Sequence, residues 1–210
     1  MPDAPANNTW FTYFPKDYRW SAAICGMVSG ARFGATEIGE LDQVGRRLSK
    51  KLGDDNHWFR EWVRMADHVR GLGLTAERKK QSLSACSHYL RACNYYQMAE
   101  RFRTPKDKLA IDAFKKGVNC FHRFARLTDR PKIEIVYVPF EGGKKLPGYF
   151  VHAQNTKKVK PPVVVFFDGL DVTKELQYMR GVEDITRRGM SVLIMDGPGT
   201  GTRCTPNLRS

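Results

Sequence analysis

The residues whose types and spacing could do chemistry lie at two turns. Phe167-Asp168-Gly169-Leu170-Asp171 closes a run of apolar residues, Val163 to Phe167. In open α/β sheets, ligands bind beyond the C-terminal ends of such strands. Gly169 would let the backbone approach a substrate closely, and the next N–H, that of Leu170, could meet a developing oxyanion. Spacing alone leaves an ordinary strand-to-helix turn with a glycine as an equal reading. The second turn, Asp196-Gly197-Pro198-Gly199-Thr200-Gly201, follows the strand-like run Val192 to Met195. It is a poor nucleotide loop, because Thr202 stands where G-x-G-x-x-G needs its third glycine and Pro198 removes an N–H. There is no Gly-Lys-Ser/Thr to make a phosphate-binding loop either.

A nucleophile to use these turns is not evident. No G-x-S-x-G occurs in the 210 residues. Gly189-Met190-Ser191-Val192-Leu193 comes closest, but Leu193 replaces the second glycine and Ser191 opens a buried strand. The histidines (His57, His68, His88, His122 and His152) all precede the parallel strands. None is spaced to serve a serine through a triad, and packing or surface roles suit them, with His152 in a strand the least ordinary. The five cysteines are Cys25, Cys86, Cys93, Cys120 and Cys204, with no C-x-x-C pair, so zinc and dithiol motifs are absent. Cys86 and Cys93, seven apart in a helical pattern, read as small buried apolar residues.

Bulk properties narrow the classes. The chain is 41% hydrophobic and 27% charged, with a mean hydropathy of −0.49. No window approaches the ~18 apolar residues of a membrane helix, and Met1 to Trp10 lacks the basic and apolar regions of a signal peptide. A cytoplasmic location and no membrane partner are expected. The net charge of +13 would permit nucleic-acid contact. Yet the Lys and Arg are dispersed, with the densest group (Arg101, Arg103, Lys106, Lys108) around Thr104-Pro105, so a solvated basic corner is favoured and nucleic acid is not expected as a partner.

The elements that must hold the turns follow from periodicity. Apolar residues at three- and four-residue spacing predict a helix through Ile38, Leu41, Val44, Leu48 and Leu52, capped by Thr36. A second carries Phe59, Trp62, Val63, Ala66 and Val69 and is expected to end at Gly71-Leu72-Gly73. A third runs from about Glu77 to Arg103 on the stripe Ala85, Tyr89, Ala92, Tyr96, Ala99. A fourth, after Pro105, carries Leu109, Ala113, Phe114, Val118, Phe121 and Ala125. The aromatic N-terminus (Trp10, Phe11, Tyr13, Phe14, Trp20) is expected to plug this layer. From Pro131 the period becomes two: Lys132–Phe140 and Leu146–Ala153 flank a Glu-Gly-Gly-Lys-Lys turn. Val163–Phe167 reads as a strand covered on both faces, followed by a helix with Leu176, Met179, Val182 and Ile185 inward and then the Val192–Met195 strand.

These residues together resemble a known family. The chain is similar to the α/β-hydrolases typified by 2,6-dihydroxypseudooxynicotine hydrolase and the related fungal polyketide-shortening and fusarin-pathway hydrolases. The similarity rests on G-A-x-x-G-A-T-E-I-G-E-L at Gly30–Leu41, on Trp58-Phe59-Arg60-Glu61-Trp62, and on His88–Phe102. In the second half it rests on Val138–Phe150, Gly169–Glu175 and Asp196–Gly199. The resemblance implies an α/β fold: a helical cap over residues 1–130, then the first strands of an α/β-hydrolase sheet over 131–210, truncated. It implies a Ser–Asp–His triad that hydrolyses C–C or ester bonds in aromatic or polyketide-like substrates without metal or cofactor. It implies that Gly169 and the Leu170 N–H belong to an oxyanion hole, with Asp171, Lys174 and Glu175 as substrate-binding candidates.

In that family the nucleophile elbow follows the Asp-Gly-Pro-Gly turn, and the acid and histidine come later still. The tail Cys204–Ser210 departs from the family pattern, so a truncated or mis-spliced frame is expected. Without the next strand, Val163–Phe167 becomes an exposed edge and an association hazard. The chain alone is then expected to be inactive, and to aggregate or require a partner: a C-terminal half that completes the small-molecule site, or a second copy in a homodimer. A non-enzymatic helical interaction module is the alternative, and a basic nucleic-acid-binding protein a weaker one.

Overall fold

The computed structural model describes residues 12–167, 169 and 171–201. Five helices come first: α1 (Tyr18–Ala31), α2 (Ile38–Leu48), α3 (Asp55–Arg78), α4 (Ser82–Glu100) and α5 (Lys108–Leu127). The sheet half follows as β1 (Ile133–Phe140), β2 (Lys144–Val151), β3 (Val163–Phe166), α6 (Lys174–Gln177), α7 (Glu183–Arg187) and β4 (Ser191–Met195). This is an α/β architecture in which a helical layer precedes the opening strands of a mixed sheet.

Side-chain caps set the helix starts. Asp17, Asp54 and Asp107 each accept the N–H three residues on, at Trp20, His57 and Ala110. Thr36 does not take this role at α2: Glu37 occupies the cap position, and the Thr36 hydroxyl instead accepts from Asn94 Nδ2 at 3.0 Å. Helix α1 is not evident from apolar spacing, since its sequence is rich in small residues. It is held by Trp20 and Phe14, which with Trp58, Trp62 and Phe102 form a continuous aromatic cluster with ring centroids 5.0–5.8 Å apart. Trp10 and Phe11 lie outside the described residues.

The second and third helices divide elsewhere than the glycines suggest. Helix α3 runs through Gly71 and Gly73 to Arg78, and the break comes at Lys80, whose φ is +57°. Gly73 is there for packing: a Cβ on it would lie 2.9 Å from the Tyr89 ring. Close approach of α3 and α4 requires a glycine at that point, and the neighbouring helical contacts outweigh its propensity cost of about 1 kcal/mol.

Helix α4 is the centre of the layer, and its second half, residues 92–99, is buried on every side, Asn94 and Gln97 included. It anchors the Gly30–Leu41 stretch. Asn94 Nδ2 donates to the Ala35 carbonyl at 2.9 Å, Tyr95 Oη donates to Glu40 at 2.7 Å while accepting from the Glu37 N–H, and Arg91 pairs with Glu40 at 3.0 Å.

The sheet order is β1-β2-β4-β3, with β1–β2 and β2–β4 antiparallel and β3–β4 parallel. One face, carrying Ile133, Tyr149, Val151, Val192 and Ile194, is buried. It meets the helical layer through an aromatic joint: Phe121 of α5 lies 4.5 Å from the Tyr149 ring and 5.3 Å from that of Tyr178. The segment between β3 and β4 is helical, as its spacing predicts, but α6 and α7 are separated by a widened turn over Tyr178–Val182 with Gly181 at φ +98°. Tyr178, Met179 and Val182 point inward.

Strand β3 differs from expectation. It pairs in parallel with β4 but is not covered on both faces: Val163, Val165 and Phe167 are 49%, 55% and 67% exposed. Val165, Leu193 and Phe150 align across three strands, and none of them is buried. An apolar run signals coverage only if something covers it, and among the described residues nothing does.

Candidate functional site

The two turns picked out by sequence meet through one buried side chain. Asp196, the first residue after β4, is 2% exposed. Its Oδ1 accepts the Lys174 backbone N–H at 2.8 Å and its Oδ2 accepts Lys174 Nζ at 2.7 Å. Gly201 folds back over the same carboxylate: at φ +54°, a Cβ there would fall 2.3 Å from Asp196 Oδ2, so no larger residue fits. The loop after β4 and the helix after β3 are thereby tied together at the C-terminal ends of the parallel strands.

Lys174 reaches a second acid, with Nζ 2.9 Å from Glu175 Oε1. Glu175 is fully buried and heavily bonded: Tyr149 Oη of β2 donates to Oε1 at 2.6 Å, and Gln97 Nε2 of α4 donates to Oε2 at 3.2 Å. The Gln97 carbonyl oxygen accepts from the Thr173 hydroxyl at 2.5 Å, and Thr173 caps α6. His122 Nε2 of α5 lies 3.1 Å from Tyr149 Oη. Because the tyrosine proton goes to Glu175, His122 must donate through Nε2–H. Four elements, α4, α5, β2 and α6, therefore converge on Glu175.

The electrostatics follow from one ammonium between two carboxylates in a dry site. Burial works against the charge on Lys174, but Glu175 and Asp196 outweigh it and hold its pKa above the ordinary value. Burial also raises Glu175, and here the Lys174 charge and the Tyr149 hydrogen bond win, so its carboxyl lies below the usual range. Asp196 is raised: burial dominates, and repulsion from Glu175 adds to it against the attraction of Lys174. Tyr149 is pushed far up by burial and by the Glu175 charge, which keeps it a donor. Histidine 122 is lowered by burial, so its neutral form is favoured.

Such a cluster positions groups; it holds no nucleophile. What it presents is the turn just before it. Gly169 is exposed, with open space where a Cβ would be. Asp171 is exposed too, and Arg101 at the end of α4 approaches it, with Nη2 3.7 Å from Oδ2 and Nη1 3.5 Å from the carbonyl. Leu170 lies outside the described residues. Of the residues named from sequence, Gly169 and Asp171 thus sit on the open turn, and Lys174 and Glu175 sit wholly buried behind it. Gln97, Tyr149, His122 and Arg101 were not picked out as site residues. Gln97 and Tyr149 each carry a polar atom at a position whose spacing is that of a core residue, and that was the available signal. Among the described residues, no group of three His, Cys, Asp or Glu is placed to hold a metal.

Comparison with known proteins decides the family. Residues 50–209 match the family described as "Esterase FrsA-like". The chain belongs to the FrsA-like esterase family. It is 30% identical over 204 residues to hydrolase acrC of Aspergillus aculeatus, covering 91% of this chain and 47% of that protein. It is 32% identical over 173 residues to the 20-hydroxy-prefusarin hydrolase FUS2 of Gibberella moniliformis, covering 80% of this chain and 41% of that one. Among solved structures, 2,6-dihydroxy-pseudo-oxynicotine hydrolase superposes with a TM-score of 0.66 at 19% identity, covering 83% of this chain and 46% of that one. AbyA5 superposes with a TM-score of 0.55 at 22% identity. These two likenesses show the α/β-hydrolase fold. The chain spans less than half the length of the curated relatives it matches.

Proposed function

We propose that this FrsA-like chain forms the cap and oxyanion half of a serine-type hydrolase. The whole enzyme would cleave C–C or ester bonds in aromatic or polyketide-like small molecules, without a cofactor. The observation that carries the reading is the clamp of Lys174 and Asp196, which fixes an open glycine turn at the C-terminal end of β3. In acyl-transfer chemistry, preorganised N–H groups at such a turn stabilise the oxyanion of the tetrahedral intermediate, and loss of one donor lowers kcat by about 10²–10³. By its place in the sequence after Gly169, the Leu170 N–H is proposed for that role. Asp171 stands at the rim where substrate would enter, while Lys174 and Glu175 hold the turn from behind. The hydrolase names of acrC and FUS2 support the reaction class.

The nucleophile comes from a strand that pairs with the open edge of β3. That pairing would occupy the open backbone edge of β3, whose outward side chains Val163 and Val165 are apolar and exposed. No G-x-S-x-G lies within residues 1–210, so residues 1–210 alone are proposed to be inactive. The four described cysteines are all free, which supports a reducing, cytoplasmic setting. Sequencing the transcript and the genomic DNA past the codon for Ser210 tests the reading. A continuing frame with G-x-S-x-G, then Asp and His in order, and ester or C–C hydrolysis by the expressed product, is the expected result. A frame without a nucleophile would remove it.

A further inference from the structure

Helix α4 grips the glycine turn at two points four residues apart, a spacing that puts both side chains on one face. Arg101 meets Asp171 from the solvent side at 3.5–3.7 Å. Gln97 meets Thr173 and Glu175 from inside, at 2.5 and 3.2 Å, and is 3% exposed. The inner contact is the stronger by geometry. Its amide is used in full: the oxygen accepts from Thr173, while the nitrogen donates to Glu175 and, at 3.9 Å, to Cys93 Sγ. An amide accepts from a hydroxyl at one atom and donates to a carboxylate at the other without carrying charge.

We propose that Gln97 is a positioning residue through which the helical layer sets the backbone geometry of the 169–173 turn. This rests on the oxyanion role assigned to that turn above. Among the described residues the Gln97 amide bonds to Thr173, Glu175 and Cys93; it acts through Thr173, the last residue of the turn, and through Glu175, whose partner Lys174 is locked to Asp196. The helical layer then sets the backbone geometry of the turn to which the oxyanion role is assigned.

Hydrogen–deuterium exchange on residues 1–210 tests this, with peptides covering 167–176 compared against peptides from α2 and α3. Gln97→Met removes both bonds with little change in volume, and the turn peptide should exchange about tenfold faster or more while α2 and α3 are unmoved, as expected for local loss of two buried hydrogen bonds of modest net worth. Gln97→Glu sets two carboxylates against each other and should do the same or more. The double variant Gln97→Glu with Glu175→Gln exchanges donor and acceptor roles: the new carboxylate accepts from Thr173 and the new amide donates to it. Exchange at the turn should return part of the way toward the parent, since the Thr173 and amide–carboxylate bonds are restored while the Lys174–Glu175 ion pair is lost. Unchanged exchange in Gln97→Met, or loosening of the whole helical layer that the double variant does not rescue, would overturn the proposal. These readouts need no turnover, so they stand apart from any failure of the hydrolase reading. In the completed enzyme, Gln97→Met should lower kcat with KM unchanged, and a change confined to KM would count against it.

Discussion

Lys174 Nζ lies 2.7 Å from Asp196 Oδ2 and 2.9 Å from Glu175 Oε1, a single buried ammonium serving two buried acids. Breaking such a group by removing its cation leaves uncompensated charge, which typically destabilises by about 3–5 kcal/mol. Lys174→Met should lose stability on that scale near pH 7 in urea unfolding. The sign of its pH dependence is also fixed. Without the ammonium both acids have folded-state pKa values above their unfolded ones, so the variant should recover stability as pH falls and lose it as pH rises. A variant as stable as the parent at pH 7, with no such slope, would show that the cluster does not depend on Lys174.

Two glycines two residues apart in α3 should respond oppositely to alanine. Gly73→Ala puts a Cβ 2.9 Å from the Tyr89 ring, and overpacking of this kind costs about 1–3 kcal/mol. Gly71 has nothing within 4 Å of the same position, so Gly71→Ala should be neutral or stabilise by up to about 1 kcal/mol through helix propensity. Paired thermal melts of the two variants check this, and equal effects would contradict the packing account of Gly73.

That contrast shows what was legible in the sequence. Apolar spacing located α2, α3, α4, α5 and the four described strands, because each carries an apolar face or run. It placed the α3–α4 break wrongly, since Gly73 reads as punctuation in one dimension and as clearance for Tyr89 in three. The turns at Gly169 and Asp196 were visible as motifs, but their connection was not. It runs through the Asp196–Lys174 clamp, braced at Glu175 by Gln97 and Tyr149, which sit among core residues and lie 78 and 26 positions from it. Periodicity reports which face is buried and carries no information on which buried polar atoms face each other. The exposure of β3 likewise depends on what is packed on it, which composition does not record.

Acid should weaken the fold through two partly buried histidines. His122 and His88 are both held below 6.5, each chiefly by burial, with Arg91 adding to the effect at His88. A depressed folded-state pKa gives stability that is present above the unfolded value and is lost as pH falls through the folded one. Stability should therefore decline below about pH 6.5, the ordinary histidine value. His122→Gln, which retains a donor toward Tyr149, should flatten that decline. Denaturation midpoints from pH 5 to pH 8 measure it, and an identical slope in parent and variant would exclude His122 as a contributor.

The exposed edge should make the chain self-associate. Unpaired strands with apolar side chains template pairing with other strands, and an edge lysine blocks it. Sedimentation velocity should show concentration-dependent association of residues 1–210, and Val165→Lys should shift the distribution toward monomer. A parent that stays monomeric at high concentration would mean that the edge is not available for pairing. A discrete two-fold species would identify a second copy as the occupant of the edge when no completing strand is supplied.

The central claim is that residues 1–210 are one half of a serine-type hydrolase, and fragment complementation tests it most directly. Residues 1–210 would be expressed alone and together with the remaining, C-terminal portion of the acrC-like relative, then assayed with a p-nitrophenyl ester and a fluorophosphonate probe. The account predicts no turnover and no label for the chain alone. It predicts a stoichiometric complex with turnover when both parts are present, labelled on the C-terminal part and lost when Val165→Lys blocks the β3 edge. Turnover by residues 1–210 as a monomer, or a folded stoichiometric complex that neither turns over nor labels, would contradict it.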